Sequence, residues 1–177
     1  MTAPLFRRLL GQNIEELPPL LRQAHDADDM QRWAGKAVAT RSANPIAKLL
    51  CRMMRLPSPG EDVPVSVLFE RRSGTERWSR AFAGRRYRSS LAERNGLMFE
   101  RMGPATNIFR LSAVAGQLHL DLVGFRFLGI PFPGWARPHC QAREREEAGH
   151  YVFDVPVSLP WLGHVIRYTG RMERIDD

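Results

Sequence analysis

The fold of this chain is decided by residues 108–133, IFRLSAVAGQLHLDLVGFRFLGIPFP. In the middle of this stretch, Leu118, Leu120 and Leu122 alternate with residues that point to the opposite face, which is typical of a half-buried antiparallel strand. Gly124 interrupts the alternation and predicts a bulge or a tight bend. The stretch therefore predicts two antiparallel strands, joined by an Ala-Gly turn, in a curved sheet.

An apolar, proline-containing segment follows this strand. It comprises residues 128–135, LGIPFPGW. Such a segment is too apolar and too stiff for an ordinary solvated loop, because each proline fixes one backbone angle. We expect it to cover an apolar surface or to be covered by one. Over a concave sheet it would form one wall of a pocket.

Short alternating segments continue through the chain from residue 63 to residue 174, separated by turn residues such as Asn95-Gly96. A hairpin turn is predicted at residues 71–74. The expected strands in this part are 63–70, 76–82, 86–91, 97–102, 108–114, 117–127, 141–147, 151–159 and 163–174. Residues 31–41 alternate weakly and predict a further strand ahead of them. The pattern predicts a mainly β protein, either a curved antiparallel sheet or a β-barrel of about nine strands, with N-terminal helices packed on it.

Residues 1–30 are predicted to form a peripheral helical segment, with a helix near residues 17–27. The dipeptide Pro18-Pro19 suits a helix start, where a missing N–H group costs little. His25 lies beside Asp26, but adjacent residues on a helix do not face each other, so a catalytic pair is not expected. We interpret His25 as part of a solvated helix end.

Residues 31–177 are predicted to form a β-rich body with a helix near residues 45–56, where apolar residues recur at helical spacing. No composition break divides the chain, and 177 residues suit one core. We therefore expect residues 1–177 to form a single domain.

Two segments near the ends of this body share one residue order: a cation, an aromatic residue, a small residue, glycine and a cation. They are residues 32–36, RWAGK, and residues 167–171, RYTGR. Pairing of these two segments would close the sheet and remove its exposed edges. The shared order therefore favours a closed barrel.

The chain is basic, with a formal net charge of +7, and Lys36 and Lys48 are its only lysines. Its arginines are scattered over most of the predicted strands, so we expect no specific nucleic-acid binding. No run of residues is apolar enough to form a transmembrane segment, and no export signal is evident. We expect a cytoplasmic protein in which Cys51 and Cys140 are reduced and buried.

Several motifs together resemble a known family. They are ERWSRAF at 76–82, GRRYRS at 84–89, FERMGP at 99–104, LGIPFP at 128–133, FDVPVSLP at 153–160 and GHVIRYTGRME at 163–173. From about residue 17 onward, the chain resembles a bacterial domain family of unknown function. Its members occur alone or behind a saccharopine-dehydrogenase-like NAD(P)-binding domain. The resemblance implies a possible dehydrogenase partner domain but no particular chemistry.

The sequence contains no recognisable catalytic motif. It has no Gly-x-Ser-x-Gly elbow, no phosphate loop and no dinucleotide fingerprint. His139-Cys140 lacks the second pair of ligands that a zinc site needs. We therefore predict no catalytic residue, no metal and no cofactor, and we lean against an enzyme.

The candidate ligand-binding residues are charged or aromatic side chains among apolar neighbours. They are Trp78, Arg80, Arg126, Glu144 and Tyr168. A wall that combines aromatic rings with one guanidinium would suit an acidic head group beside an apolar body. The alternative is a solid core in which Arg80 forms a structural ion pair with Glu144 or Glu100.

Three functions remain open from the sequence. The one we favour is a binding module that encloses a small apolar or amphipathic ligand, such as a lipid, in a β-barrel-like cavity. The second is an accessory or catalytic domain that acts with an NAD(P)-dependent dehydrogenase. The third is a basic interaction domain for an anionic partner.

Overall fold

A computed structural model describes residues 3–27, 29–54, 56–72 and 75–175, with Arg72 described by its backbone alone. The helices are α1 (Leu5–Leu10), a 3-10 helix (Gly11–Glu16), α2 (Pro19–His25) and α3 (Pro45–Met53). The strands are β1 (Gln31–Arg41), β2 (Gly60–Arg72), β3 (Thr75–Phe82), β4 (Arg85–Arg94), β5 (Leu97–Met102), β6 (Ala105–Val114), β7 (Gln117–Phe127), β8 (Ile130–Pro131), β9 (His139–Glu147), β10 (His150–Leu159) and β11 (Gly163–Ile175). The tip of the hairpin turn expected at 71–74, residues 73–74, lies outside the described residues.

The strands form one closed antiparallel barrel. Each of β1 to β6 pairs with the next strand, β7 pairs with β9, and β9 to β11 continue in order until β11 returns to β1. The short β8 adds to the end of β7 and is not a barrel strand. The barrel therefore has ten strands, close to the expected nine, and the prediction of a mainly β fold is confirmed. No long helix interrupts the described part between residues 63 and 174.

The two strands that carry the repeated residue order close the barrel, but the segments 32–36 and 167–171 are offset, so within them only Lys36 and Arg171 lie opposite each other. Strand β1 pairs antiparallel with β11, with Gly35 opposite Met172 and Ala37 opposite Gly170. The glycines allow close approach, since a Cβ atom on Gly170 would lie 2.8 Å from the Lys36 carbonyl oxygen. Side-chain atoms at these positions would push the two closing strands apart.

The bulge predicted at Gly124 is also present. Ile108 on β6 pairs with Gly124, but the next residue, Phe109, pairs with Leu122, so Val123 has no partner opposite it. An extra residue in one strand reverses which side chains face inward beyond it. The inner face of β7 therefore changes from even-numbered to odd-numbered residues.

The N-terminal helices close one end of the barrel. Phe6, Ile14 and Leu21 are fully buried and belong to the main core. His25 at the end of α2 is also fully buried, so its interpretation as a solvated helix end is wrong. The imidazole turns inward, where its ring stacks on Phe6 and lies near the rings of Phe69, Trp78 and Tyr151. Helical spacing accounts for this orientation, because His25 lies four residues after Leu21, on the buried face of α2.

Helix α3 lies near the opposite end of the barrel. Asn44 caps it, because its side chain accepts a hydrogen bond from the Ile46 backbone N–H at 2.9 Å. Ala47 and Cys51 pack against Val165 on β11, while the other face of the helix is exposed. Among the described helices, none is long and apolar enough to cross a bilayer.

Candidate functional site

The barrel encloses a cavity of about 730 Å³. Its wall consists mostly of apolar side chains that alternate inward along the strands. The cavity reaches solvent at the end opposite the N-terminal helices, since Ile46, Met53, Phe132 and Trp161 line it and are themselves exposed. The volume falls within the usual range of roughly 300–1,000 Å³ for small-molecule sites.

Four of the five candidate residues lie together at this cavity: Trp78, Arg80, Glu144 and Tyr168. Arg126 does not, because it is exposed on the outer face of β7. Without a bulge, the inward parity of Leu122 would have continued to Arg126. The extra residue at the bulge turns the neighbouring phenylalanines inward instead, and Arg126 is excluded from the candidate site.

Arg80 is held by neighbours on three adjacent strands. Its Nη2 lies 2.9 Å from Glu100 Oε1 on β5, and its Nη1 donates to Ser89 Oγ on β4 at 2.7 Å. Its guanidinium carbon lies 4.5 Å from the centroid of the Trp78 ring and 5.6 Å from that of Tyr87. These contacts combine an ion pair with cation–π interactions, which are strengthened by partial desolvation.

The sequence left open whether Arg80 belongs to a pocket or to a structural ion pair. Both descriptions hold: Arg80 lines the cavity and pairs with Glu100. The alternative pairing with Glu144 does not occur, because Glu144 contacts His25 instead. The ion pair fixes the guanidinium without filling the cavity.

Two phenols complete the polar cluster around Arg80. Burial raises the pKa of Tyr87, although the charge of Arg80 lowers it, and burial raises the pKa of Tyr168 well above its usual value. Both side chains are therefore neutral near pH 7. Within the described part of the chain, the buried Tyr87 hydroxyl forms no hydrogen bond of normal geometry.

A second polar group lies toward the end closed by the helices. His25 Nε2 is 2.6 Å from Glu144 Oε2 and 3.5 Å from the Tyr151 hydroxyl. The His25 ring stacks on Phe6 with centroids 4.1 Å apart. The contact joins α2 to the barrel wall, and Glu144 and Tyr151 extend it to the cavity lining.

Sequence reasoning missed Tyr87, Ser89, His25 and Tyr151. A signal existed for the first two, because Tyr87 and Ser89 alternate with arginines along β4 and share its inward face. A signal existed for His25 too, because it lies at helical spacing from Leu21 on the buried face of α2. Its contacts with β9 and β10 depend on how α2 packs across the barrel end, which the spacing does not specify.

The described residues hold no group of three or more His, Cys, Asp or Glu side chains that could bind a metal ion. Both cysteines are free and buried, as predicted. Cys140 lines the cavity from β9. Burial, and secondarily the negative charge of Glu100, raises the pKa of the Cys140 thiol to about 12.

Cys140 is therefore expected to react slowly with thiol reagents. The thiolate is the reactive form, so at pH 8 the rate should lie on the order of 10³-fold below that of an unperturbed cysteine. The measurement is the release of thionitrobenzoate from Ellman's reagent by a Cys51→Ala variant, folded and then in urea. A folded-state rate within about tenfold of the denatured rate would contradict the burial of this thiol.

Comparison with known proteins identifies one match. A family model described as "Domain of unknown function (DUF4166)" matches residues 17–172. Neither the comparison with curated proteins nor that with solved structures found a match. The matched region includes α2, α3 and all ten barrel strands except the last residues of β11.

Proposed function

The chain belongs to the DUF4166 family, and we propose that it is a binding module that holds one apolar or amphipathic molecule inside its barrel. The observation that carries the proposal is the cavity of about 730 Å³, whose wall is mostly apolar and bears a localised polar cluster around Arg80. Ligand sites usually have this composition, with apolar walls for affinity and a few polar groups for orientation. Ten strands also enclose more room than side chains alone must fill.

The polar cluster is proposed to hold the polar end of the ligand. Arg80, Tyr87 and Tyr168 offer N–H and O–H donors next to aromatic and aliphatic walls. Glu100 already neutralises Arg80, so a carboxylate in the same place would add a second negative charge. A hydroxyl or carbonyl head group therefore suits the cluster better than the acidic group expected from Arg80 alone.

The first test is to identify a co-purified ligand. Protein purified without detergent or denaturant would be examined by native mass spectrometry, and its organic extract by lipid analysis. The expected result is a mass excess that disappears on denaturation and matches an extracted amphiphile. For protein stripped of ligand, a long-chain alcohol should displace an environment-sensitive apolar dye better than the fatty acid of equal length. Failure of all such probes to bind would overturn the proposal.

Filling the cavity should abolish binding without unfolding the protein. Val155 on β10 lines the cavity and is only partly buried, so Val155→Phe places a ring in the space proposed for the ligand. We expect at least about a tenfold loss of dye affinity, because the lost apolar contact area is worth a few kcal/mol. The assay is fluorescence titration, with the melting temperature measured in parallel.

The matched control is Val114→Phe. Val114 lies at the end of β6, is exposed and does not line the cavity. The dye affinity of Val114→Phe should equal that of the unmodified protein. Equal affinities for both variants and the unmodified chain would place the dye outside the barrel.

A further inference from the structure

The open end of the barrel is surrounded by exposed apolar side chains. Twelve large apolar residues are exposed in the described part of the chain, and eight of them come from α3, residues 128–138 and residues 160–162. These eight define the apolar rim: Ile46, Leu49, Met53, Leu128, Ile130, Phe132, Trp135 and Trp161. Such clustering marks an interaction surface, whereas singly scattered apolar residues do not.

The rim is continuous with the cavity opening. Trp135 and Trp161, on separate connections, have ring centroids 6.0 Å apart. Helix α3 is anchored beside the same connection, because Cys51 belongs to the small core that includes Val165 and packs against Leu162. Four members of the rim also line the cavity. A ligand that enters the barrel must therefore pass through the rim.

Charge is distributed unequally between the two ends of the barrel. The connections at the open end are residues 42–59, 83–84, 103–104, 128–138 and 160–162. Their described residues include three basic residues, Lys48, Arg52 and Arg137, and no Asp or Glu. The described residues at the capped end, in 3–27, 29–30 and the turns 95–96, 115–116 and 148–149, include four acidic and three basic residues. A negatively charged surface would therefore be attracted to the open end.

Cations lie beside the apolar rim itself. Lys48 and Arg52 are exposed on α3, next in sequence to Leu49 and Met53. Arg41 and Arg85 reach the segment after α3, where each donates a hydrogen bond to the Leu56 carbonyl oxygen, at 3.2 Å and 3.5 Å. Exposed tryptophans and short amphipathic helices with flanking cations are features of proteins that bind membrane interfaces.

We propose that the apolar rim docks on an anionic phospholipid bilayer and places the cavity opening against the lipid. The cations would contact the head groups, while Leu49 and the two tryptophans enter the interface. A bilayer also supplies apolar molecules at the opening. Docking therefore extends the proposed function, and it rests on that function for the kind of molecule that enters the barrel. The docking itself is separable from ligand binding.

The test is co-sedimentation with vesicles. The chain is expected to bind vesicles of phosphatidylcholine mixed with phosphatidylglycerol. Binding should be weaker to phosphatidylcholine alone and should fall as the salt concentration is raised. Trp33 and Trp78 are buried, so a blue shift of fluorescence on vesicle addition would report Trp135 and Trp161.

Variants separate docking from ligand binding. Leu49 and Trp135 are exposed and do not line the cavity. Leu49→Glu with Trp135→Glu should lower vesicle partitioning by at least about tenfold and leave dye affinity in the barrel unchanged. The matched control is Val114→Glu with Ile175→Glu, two exposed apolar residues at the capped end, which should bind vesicles like the unmodified chain.

Three outcomes would overturn the docking proposal. The unmodified chain does not sediment with anionic vesicles, or Val114→Glu with Ile175→Glu loses as much vesicle binding as Leu49→Glu with Trp135→Glu. The third outcome is a stable dimer whose interface protects the rim. Dye binding without vesicle binding would overturn docking alone. Vesicle binding by a chain that binds no apolar probe would overturn the proposed function and leave docking in place.

Discussion

The variant Gly35→Ala is expected to unfold far more easily than the unmodified chain, with a loss of about 3 kcal/mol or more in the free energy of unfolding. A Cβ atom on Gly35 would overlap the carbonyl oxygen of Arg171 and lie 2.9 Å from the Cα atom of Met172. Both contacts are backbone atoms of the paired strand. No side-chain rotation can relieve them, so β1 and β11 must separate at the closure.

Urea denaturation followed by circular dichroism measures this loss. The matched control is Gly134→Ala, since a Cβ atom added to Gly134 would meet no other atom within 4 Å and the residue lies in the exposed connection after β8. The urea concentration at the unfolding midpoint of Gly134→Ala should differ little from that of the unmodified chain. If Gly35→Ala and Gly134→Ala were equally stable, the strands at the closure would not approach as closely as described.

The sheet and the two strands that close it could be predicted from the sequence alone. Alternation along each strand predicted the sheet, and the shared order of residues 32–36 and 167–171 predicted which strands would close it. These features are local or depend on short matching segments. The nine segments expected between residues 63 and 174 correspond to β2–β7 and β9–β11, and the tenth barrel strand is β1, which precedes them in the chain.

The candidate site was predictable only where strand parity is uninterrupted. Trp78 and Arg80 follow one regular strand, so their shared inward face could be inferred. Arg126 lies beyond the bulge, where one extra residue reverses the direction of every following side chain. The bulge was expected from Gly124, but its exact register depends on the partner strand.

The partners of His25 and the unequal charge of the barrel ends required the three-dimensional arrangement. His25 is buried because α2 crosses the barrel end, where its ring meets Phe6 and Glu144. The unequal charge of the two ends is hidden in the linear sequence, because consecutive connections alternate between the ends of an antiparallel barrel. The arginines that looked scattered along the chain therefore include a group at the cavity opening.

The variant Arg80→Met is expected to lower the free energy of unfolding by about 3–5 kcal/mol. The Arg80 and Glu100 side chains are only 15% and 11% exposed. Methionine keeps most of the apolar stem but leaves the Glu100 carboxylate without its cation. Asn107 stays beside it, with its Nδ2 3.5 Å from Glu100 Oε2, at the limit of a hydrogen bond. An unpaired, desolvated charge accounts for most of the expected cost.

The double variant Arg80→Met with Glu100→Gln should recover most of this loss, because it removes both charges and keeps an amide beside Asn107. Arg167→Met is the matched control: Arg167 pairs with Asp154 at 2.7 Å, but its side chain is 56% exposed, so its loss should be about 1 kcal/mol or less. Equal losses for Arg80→Met and Arg167→Met in urea denaturation would contradict a desolvated pair. Recovery of stability in the double variant, with altered preference between alcohol and fatty-acid probes, would separate the structural role of Arg80 from its proposed role in ligand binding.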